Sequence, residues 1–514
     1  MKKFLLITIT LFLLAGTAFG QADEQNITSN SALELNHARS LWANSSNAAG
    51  LAFLPLQDYN KVSAYYNYET GNYKLQQEGD NFRSFGFNTN GAFRIGKIAL
   101  WGNFTFADEY VTGSLYNTSR NELSSDMPFF VSDCFKSNWR RQYYEMDVKA
   151  AFPLGEKLTL GVELGYMVKQ GAKQRDPRVT AVSYKIDVKP SLVFKINDMH
   201  HIGANFRYYD SFDRDGFSTS ITYSHYELYI MGGFGNYFPT SIGGTGGIDP
   251  FYYNGSGLGG GLQYGFSNDK TAFLLDLTCN RRLIETFETP NKPQRRGDAD
   301  NTTFGGKLQL LFKGATTHKF NLQVTSSATD GIEYLQKYVP EYLINSWVTI
   351  AKYIKSTYKQ TDLSFQYDVF GGAATDYSWK AGAEALYNNR QDEYILPHSE
   401  FNVKNAYIGL HAGKNFFMKN GSKFFAGLNA GRKSNISGNY AFNVPEPNHE
   451  LITGFFMKDF AYLMDNYWTV GLKLDLSIVL KAKSSFNIDL GWKLLSSQTL
   501  DNRNYFTASV AYIF

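Results

Sequence analysis

The 514-residue chain has little cysteine, little proline and little charge. It contains 2 Cys and 13 Pro, and charged residues make up 19%. Two cysteines are too few for a disulfide-stapled scaffold, and a net charge of +3 offers no basic field for nucleic acid. Beyond residue 20 no apolar run reaches the roughly 18 residues of a transmembrane helix. These shortages exclude three classes: small secreted scaffolds, nucleic-acid binders and helical membrane proteins.

Aromatic side chains, in contrast, are abundant. Phe (41), Tyr (35) and Trp (7) amount to 16% of the residues, within a hydrophobic share of 43%. A disordered chain is poor in such residues and is therefore excluded. The composition leaves a large all-β protein, either soluble or embedded in a membrane.

The first 20 residues have the pattern of a secretory signal peptide. Lys2 and Lys3 precede an apolar run over 4–16, and the small residues Ala18 and Gly20 lie at positions −3 and −1 of a cleavage site after residue 20. The apolar run is too short to span a membrane. We therefore expect export across the inner membrane of a double-membrane bacterium.

The C-terminal end has strand alternation. One face of this strand carries Phe506, Ala508, Val510, Tyr512 and Phe514. The end resembles the C-terminal assembly signal of outer-membrane β-barrels, in which two aromatic residues flank one other residue; here Tyr512 and Phe514 are that pair, and Ser509 replaces the usual glycine. The resemblance implies an outer-membrane location and the barrel assembly machinery as a partner.

Apolar and polar residues alternate over 467–480 and again over 485–495, as in strands with one lipid face and one lumen face. A short turn separates these two segments and predicts a hairpin. Eight such hairpins, one strand before them and one after predict an antiparallel transmembrane barrel of about 18 strands, with 14 or 16 as alternatives. The other predicted strands are 60–69, 82–94, 98–108, 142–152, 158–169, 184–196, 200–211, 259–266, 271–282, 302–313, 318–327, 358–370, 376–387, 404–415, 422–432 and 504–514.

Short and long connections alternate along this pattern. Outer-membrane barrels place short turns in the periplasm and large loops outside the cell. A soluble β-propeller would instead need a repeat of about 40–50 residues, and the chain has none. The predicted long connections are 70–81, 109–141, 170–183, 212–258, 283–301, 328–357, 388–403, 433–466 and 496–503.

The segment before the first strand carries a second resemblance. Residues 38–52 read ARSLWANSSNAAGLA and are similar to the entry segment of the long-chain fatty-acid transporter superfamily, with Ala48 where that family has Pro. In that family the segment helps to form an internal hatch. More broadly, the chain resembles uncharacterised outer-membrane barrels of Bacteroidota. We therefore expect a signal peptide (1–20), an N-terminal periplasmic or plugging segment (21–58) and the barrel (59–514).

Alternation also predicts which charged residues line the lumen. A charge facing lipid at the membrane centre costs about 2–4 kcal/mol, so these residues must face water, a plug or each other. Their mixed signs predict a wet interior without strong ion preference, or a ring of salt bridges that stiffens the wall. The predicted lumen residues are Glu145, Asp147, Lys149, Glu163, Lys185, Asp187, Lys189, Arg207, Asp276, Lys307, Asp362, Asp368, Lys380, Glu384, His411, Lys473, Asp475, Asp489 and Lys493.

Catalytic, metal-binding and cofactor-binding motifs are not found. A Gly-x-Ser-x-Gly elbow is absent and the eight His residues lack metal-ligand spacing, so we expect neither an enzyme nor a cofactor. The glycine runs 242–247 and 255–261 are interpreted as flexible loop. Cys134 and Cys279 either pair or remain free. The aromatic residues of the predicted loops either contact a partner or pack inward; they include Phe129, Phe130, Trp139, Phe251, Tyr252 and Tyr253.

The sequence thus predicts an outer-membrane barrel in contact with lipid and lipopolysaccharide. Porin-like passage of small polar solutes is the first functional hypothesis. The alternatives are a non-conducting barrel that acts as a scaffold or partner subunit of a larger outer-membrane complex, and a transporter of hydrophobic compounds with an N-terminal hatch.

Overall fold

A computed structural model describes most of the chain. The described residues are 29–53, 58–118, 127–221, 223–244, 247–289, 292–340, 346–372, 375–481 and 484–514. The predicted signal peptide, residues 1–20, lies outside these ranges. No helix within them has the length and apolar character needed to cross a membrane.

Eighteen antiparallel strands form one closed sheet. Each barrel strand pairs with the next, and the first, β1, also pairs with the last, β21, so the sheet has no free edge. Three further short strands, β4, β9 and β10, form a separate sheet. The strands are β1 Tyr59–Gly71, β2 Asn81–Ile95, β3 Ile98–Ser114, β4 Val131–Ser132, β5 Ser137–Leu154, β6 Leu158–Lys173, β7 Arg178–Lys195, β8 His200–Ser218, β9 Tyr226–Gly233, β10 Asn236–Ile242, β11 Phe251–Ser267, β12 Thr271–Glu288, β13 Gln294–Lys313, β14 Thr316–Val339, β15 Ser346–Gly371, β16 Trp379–Tyr394, β17 Ser399–Phe417, β18 Lys423–Ala441, β19 Tyr467–Lys481, β20 Ser484–Ser497 and β21 Asn502–Ile513.

The two faces of the wall differ in chemistry, as the alternation predicts. On β19, Val470 and Leu472 point outward and are 47% and 37% exposed, whereas Asp475 points inward and is 6% exposed. Apolar side chains exposed all around the outside are stable only against lipid. A closed barrel suits that position because it satisfies its backbone hydrogen bonds internally. The fold is therefore a transmembrane β-barrel, and the predicted count of 18 strands is confirmed.

The predicted connections need correction. Several segments expected to be loops are strand, because the strands continue beyond the membrane: β14 has 24 residues and β15 has 26. Only a few residues, 174–177, then join β6 to β7, and 395–398 join β16 to β17. The glycine run 255–261 likewise lies inside β11 rather than in a flexible loop. Backbone pairing with β8 and β12 holds this glycine-rich run extended.

Three connections remain long, 115–136, 219–250 and 442–466, and the residues of them that the structure describes fold inward. The third contains a π-helical turn, Leu451–Phe456, and helix α2, Met457–Met464, while α1 precedes the barrel at Asn30–Arg39. Phe460 of α2 stacks on Phe401 of the inner wall with ring centroids 4.0 Å apart.

Most of the aromatic residues expected in loops are buried by this packing. Phe129, Trp139, Phe251 and Tyr253 are at most 2% exposed, and Phe130 packs partly buried against a neighbouring cluster. Tyr252 is also half-buried. Of the two alternatives for these aromatics, inward packing is the one that the structure shows.

The N-terminal segment, residues 29–53, lies within the barrel. Ser29 caps α1 by accepting the backbone N–H of Ala32 across 3.1 Å, and two 3₁₀ helices follow, Leu41–Asn44 and Ala48–Phe53. The segment contacts the inward face of strands on all sides of the lumen, from β19 and β20 at one end to β5, β6 and β7 at the other. A segment outside the barrel could not reach these opposite walls.

Candidate functional site

The predicted lumen residues on β5 to β8 form a network of ion pairs. Glu163 lies between Lys149 and Lys189, at 3.4 and 2.8 Å. Arg207 donates from Nε to both carboxylate oxygens of Asp187, at 3.1 and 3.0 Å. Bidentate pairs of this kind fix geometry as well as charge. On this side of the lumen, opposite charges on neighbouring strands neutralise one another.

Other predicted lumen residues complete this side without ion pairs. Tyr143 donates its hydroxyl to Glu145. The Asp147 side chain lies over Gly165. A Cβ added to this glycine would be 3.1 Å from Oδ1 of Asp147. Lys185 lies over the ring of Tyr209, with Nζ 5.3 Å from the centroid. These contacts hold the side chains close to the wall.

Acidic residues on the opposite side bond mainly to neutral groups. Asp362 accepts from Asn388 across 2.6 Å, and His411 lies 2.8 Å from Asp368. The Glu384 side chain lies across Gly409. A Cβ added to this glycine would be 2.6 Å from Oε1 of Glu384. The carboxylates here are therefore already engaged with the wall.

A third group of predicted lumen residues holds the N-terminal segment. Asp276 accepts from the backbone N–H and the hydroxyl of Ser46, at 2.6 and 2.8 Å. Lys307 donates to the backbone oxygen of Asn44 across 2.9 Å, and Lys380 pairs with Glu34 across 2.6 Å.

The far end of the segment is held by Asp475 and Asp489. Both carboxylates accept the side-chain amide of Asn30, at 2.5 and 3.0 Å. The two aspartates are directly opposite each other on β19 and β20. They therefore present a single acidic surface to the start of α1.

Two predicted lumen residues remain open to water. Lys473 and Lys493 are exposed although they point into the barrel. Neither makes an ion pair or a hydrogen bond with the part of the chain that the structure describes.

The sequence pattern missed several residues that position the N-terminal segment. Asp376, in the turn between β15 and β16, accepts from Ser29 and Ser31 across 2.9 and 3.0 Å. Gln263 of β11 accepts the side-chain amide of Asn47 across 2.8 Å. Asp376 is the first residue of the predicted strand 376–387 and has the same parity as Lys380 and Glu384, so alternation could have placed it on the lumen face. Gln263 is uncharged, so a search for alternating charges passes over it.

The two cysteines do not pair. Both thiols are free, with Cys134 in a folded-in loop and Cys279 exposed on the outward face of β12. The wall separates them, so the disulfide alternative is wrong.

Within the described ranges no three His, Cys, Asp or Glu side chains are grouped to hold a metal ion. Absence of enzymatic activity stays a prediction.

A comparison with family models matches residues 48–514 to DUF6850, described as a family of unknown function. The chain belongs to this family. The match covers the barrel and the end of the N-terminal segment. No curated protein matches the chain. The resemblance of 38–52 to the fatty-acid transporter superfamily, and that of the whole chain to Bacteroidota barrels, stay predictions.

Solved structures with a similar fold are other barrels. BauA, the ferric preacinetobactin receptor of Acinetobacter baumannii, is 11% identical with a TM-score of 0.40, covering 89% of this chain and 80% of its own. Pseudomonas aeruginosa OpdK with vanillate is 10% identical with a TM-score of 0.38, covering 89% and 98%. TodX, a monoaromatic hydrocarbon channel, is 10% identical with a TM-score of 0.31, covering 96% and 97%. At these identities and TM-scores the likeness supports no conclusion about this chain. The closed wall and its apolar exterior place this DUF6850 protein in the outer membrane.

Proposed function

We propose that this DUF6850 barrel is a gated channel for small polar solutes, in which residues 29–53 narrow the periplasmic mouth. The observation that carries the proposal is the course of this segment around the inner wall. It is bonded to Asp489 at one end, and to Gln263 and Ser191 at the other. Barrels of 16–18 strands leave an aqueous channel unless something fills it. Here that space is partly occupied by the chain itself.

The contacts of the segment suit a reversible obstruction. Polar side chains bond to the wall along the segment, such as Arg39 to Thr317 across 2.9 Å. Apolar side chains also pack against the wall along its length: Leu35 and Ala38 cluster with Phe370 and Phe425, Leu41 with Leu274 and Leu311, and Leu51 with Ala99 and Ala151. Water replaces each hydrogen bond on release, so the net contribution is about 0.5–1.5 kcal/mol between neutral groups and about 1.5–3 kcal/mol where one partner is charged. The barrel strands pair with one another and not with the segment, so its release would leave the closed sheet intact.

Removal of the segment tests this function. The mature chain and a variant lacking residues 29–53 are compared in planar bilayers, after heat-modifiable migration has shown that both are folded barrels. We expect the complete chain to conduct in small or brief steps and the shortened chain to conduct in larger, steady steps. Equal conductance would show that the segment does not gate. Silence of both would contradict passage altogether.

A specific observation favours the scaffold function as a second candidate. The hairpin of β14 and β15 extends past its neighbours as a two-stranded ribbon, residues 333–339 and 346–355, which pairs with neither β13 nor β16. Its apolar side chains are open to water, with Leu335 54% and Ile350 62% exposed. Exposed apolar residues beside unpaired strand edges are typical of protein contacts.

Crosslinking in intact outer membranes tests this second candidate. We expect a partner to be captured by the native chain and lost in Ile350→Asp. Lys352→Asp is the matched control, because it changes a polar residue of the same ribbon. Recovery of the barrel alone would contradict the scaffold function.

A further inference from the structure

We infer that Lys473 and Lys493 form a binding site for the oxyanion group of a small solute inside the lumen. The inference rests on the proposed passage of small polar solutes, and narrows that class to molecules that carry a carboxylate or phosphate group.

The register brings the two lysines together. Lys473 of β19 is opposite Gly491, and Lys493 of β20 is opposite Gly471, so the lysines are diagonal neighbours on one face. Diagonal residues on paired strands have Cα atoms roughly 7–8 Å apart, within reach of long side chains. Two ammonium groups can therefore contact one bound oxyanion.

The surrounding wall does not neutralise both lysines, because Lys473 interacts only with the shared Asp489 and no described carboxylate forms an ion pair with Lys493. The nearest carboxylates on the same face, Asp475 and Asp489, bind Asn30, and Asp489 also accepts from Ser509 across 3.0 Å. Lys61 donates to Asn30 across 2.8 Å and faces the same acidic pair. Lys61, Lys473 and Lys493 thus share the two carboxylates of Asp475 and Asp489. Of these three cations, Lys473 and Lys493 lie nearer the extracellular end of the barrel.

Two glycines allow polar side chains from the neighbouring strands to lie beside the lysines. Gly471 and Gly491 lie directly beside the lysines, and the polar side chains of Asn429 and Thr507 lean across them. An added Cβ at Gly471 would be 2.7 Å from the amide of Asn429, and one at Gly491 would be 2.4 Å from Thr507 Oγ1. Both neighbours are exposed to the lumen, so each can donate a hydrogen bond to an oxyanion held by the lysines.

The position along the barrel suits a solute on its way through. Toward the periplasm, the next inward residues contact the N-terminal segment through Asp475 and Asp489. Toward the outside, Lys433 of β18 donates across 2.7 Å to Leu463 in the inward-folded loop. The lysine pair lies between these two contacts. A solute that crosses the lumen along this wall passes it.

The opposite wall provides the contrast. Its charged residues are paired or stacked, as in Glu163 between two lysines and Lys185 over Tyr209. A bound anion there would first have to break these contacts. Lys185→Gln is therefore a matched control, because it removes one positive charge from the lumen without touching the proposed site.

Calorimetry on the purified mature barrel in detergent measures binding independently of conductance. The probes are inorganic phosphate and acetate, which distinguish the two oxyanion classes, with glucose as the neutral comparison. We expect one or both anions to bind, Lys473→Gln and Lys493→Gln each to weaken binding about tenfold, equivalent to about 1.4 kcal/mol, and Lys493→Arg to restore most of it. Heat-modifiable migration shows that each variant is folded.

Three results would overturn the site: no binding of either anion, equal binding by the double glutamine variant, or an equal loss in Lys185→Gln.

Reversal potentials in a KCl gradient then test the link to passage. We expect the double variant to lose anion preference and Lys185→Gln to keep it. A silent bilayer with intact, lysine-dependent binding would contradict the channel but support the site.

Discussion

The side-chain amide of Asn30 donates a hydrogen bond to Asp489 across 3.0 Å. This bond ties the first residue of α1 to the wall, and Asp475 accepts a second bond from the same amide across 2.5 Å. Hydrogen bonds to charged groups contribute about 1.5–3 kcal/mol. We therefore expect Asn30→Ala to raise the equilibrium constant for release of α1 about tenfold. The frequency of openings in planar bilayers measures this.

Asn36→Ala is the control for that prediction. Asn36 lies on the same helix and is half-buried, but its side chain donates to no other described residue. We expect the Asn36→Ala variant to open as often in planar bilayers as the native chain. If both variants open equally often, the contact with Asp489 does not hold the segment in place.

The folded-in loop 442–466 should loosen as the pH rises. The pKa of the Asp459 carboxyl group is raised to about 7, mainly by burial, with the Gln76 N–H opposing this rise and Glu78 adding to it. In an unfolded chain this pKa is about 3.9. The folded loop therefore binds the proton more tightly, so the stability gained is complete below about pH 4 and is lost as the pH rises through 7.

Hydrogen exchange of residues 450–465, corrected for intrinsic rates, measures this dependence. We expect faster opening at pH 8 than at pH 5, and we expect Asp459→Asn to remove the difference. Asp501→Asn, at an exposed turn, should leave it unchanged. Equal protection of the native loop at both pH values would contradict the assignment to Asp459.

Lys173 and Asp133 form an ion pair whose side chains are 1% and 0% exposed. Removal of one partner leaves a buried charge, which typically costs 3–5 kcal/mol. We expect Lys173→Met to lower the free energy of unfolding by about that amount in urea titrations of vesicle-embedded barrel. Arg140 and Asp108, 63% and 31% exposed, are the comparison. Arg140→Ala should leave the free energy of unfolding nearly unchanged, because water already solvates both charges, and similar losses in both variants would contradict the prediction.

The free cysteines should resist polar reagents in the native protein. Burial, together with the nearby carboxylates of Glu450, Asp133 and Glu227, raises the pKa of the Cys134 thiol to about 12. Cys279 faces outward toward lipid. We expect a charged maleimide at pH 8 to label neither thiol until the chain is unfolded, and then both. Rapid labelling of Cys134 in the native barrel would disprove its burial.

Tyr512 and Phe514 stack outside the barrel with ring centroids 5.3 Å apart. We propose that the assembly machinery reads this pair. Deletion of Phe514 should then reduce the amount of barrel in the outer membrane severalfold, while purified protein still refolds in detergent. Leu500→Ala, at another exposed apolar residue, is the control. Normal membrane levels without Phe514 would contradict its role.

The barrel was largely predictable because its signal is local. A strand that crosses lipid must alternate apolar and polar residues, and a hairpin needs only a short turn. Segments such as 467–480 and 485–495 therefore correspond closely to β19 and β20. The same alternation selects side chains such as Asp276 and Asp475, whose inward direction follows from strand parity alone.

Only the tertiary structure decided what these side chains contact. Lys149 and Lys473 have the same alternation, yet one pairs with Glu163 and the other stays open. The difference depends on strands that are distant in sequence and on the path of residues 29–53. Strand ends, loop packing and the extended glycine run of β11 likewise depend on partners across the barrel. Alternation predicted a wall of about 18 strands with 14 or 16 as alternatives, and the closed sheet has 18. Which charges are neutralised depends on folding, because pairing requires neighbours that only the closed sheet supplies.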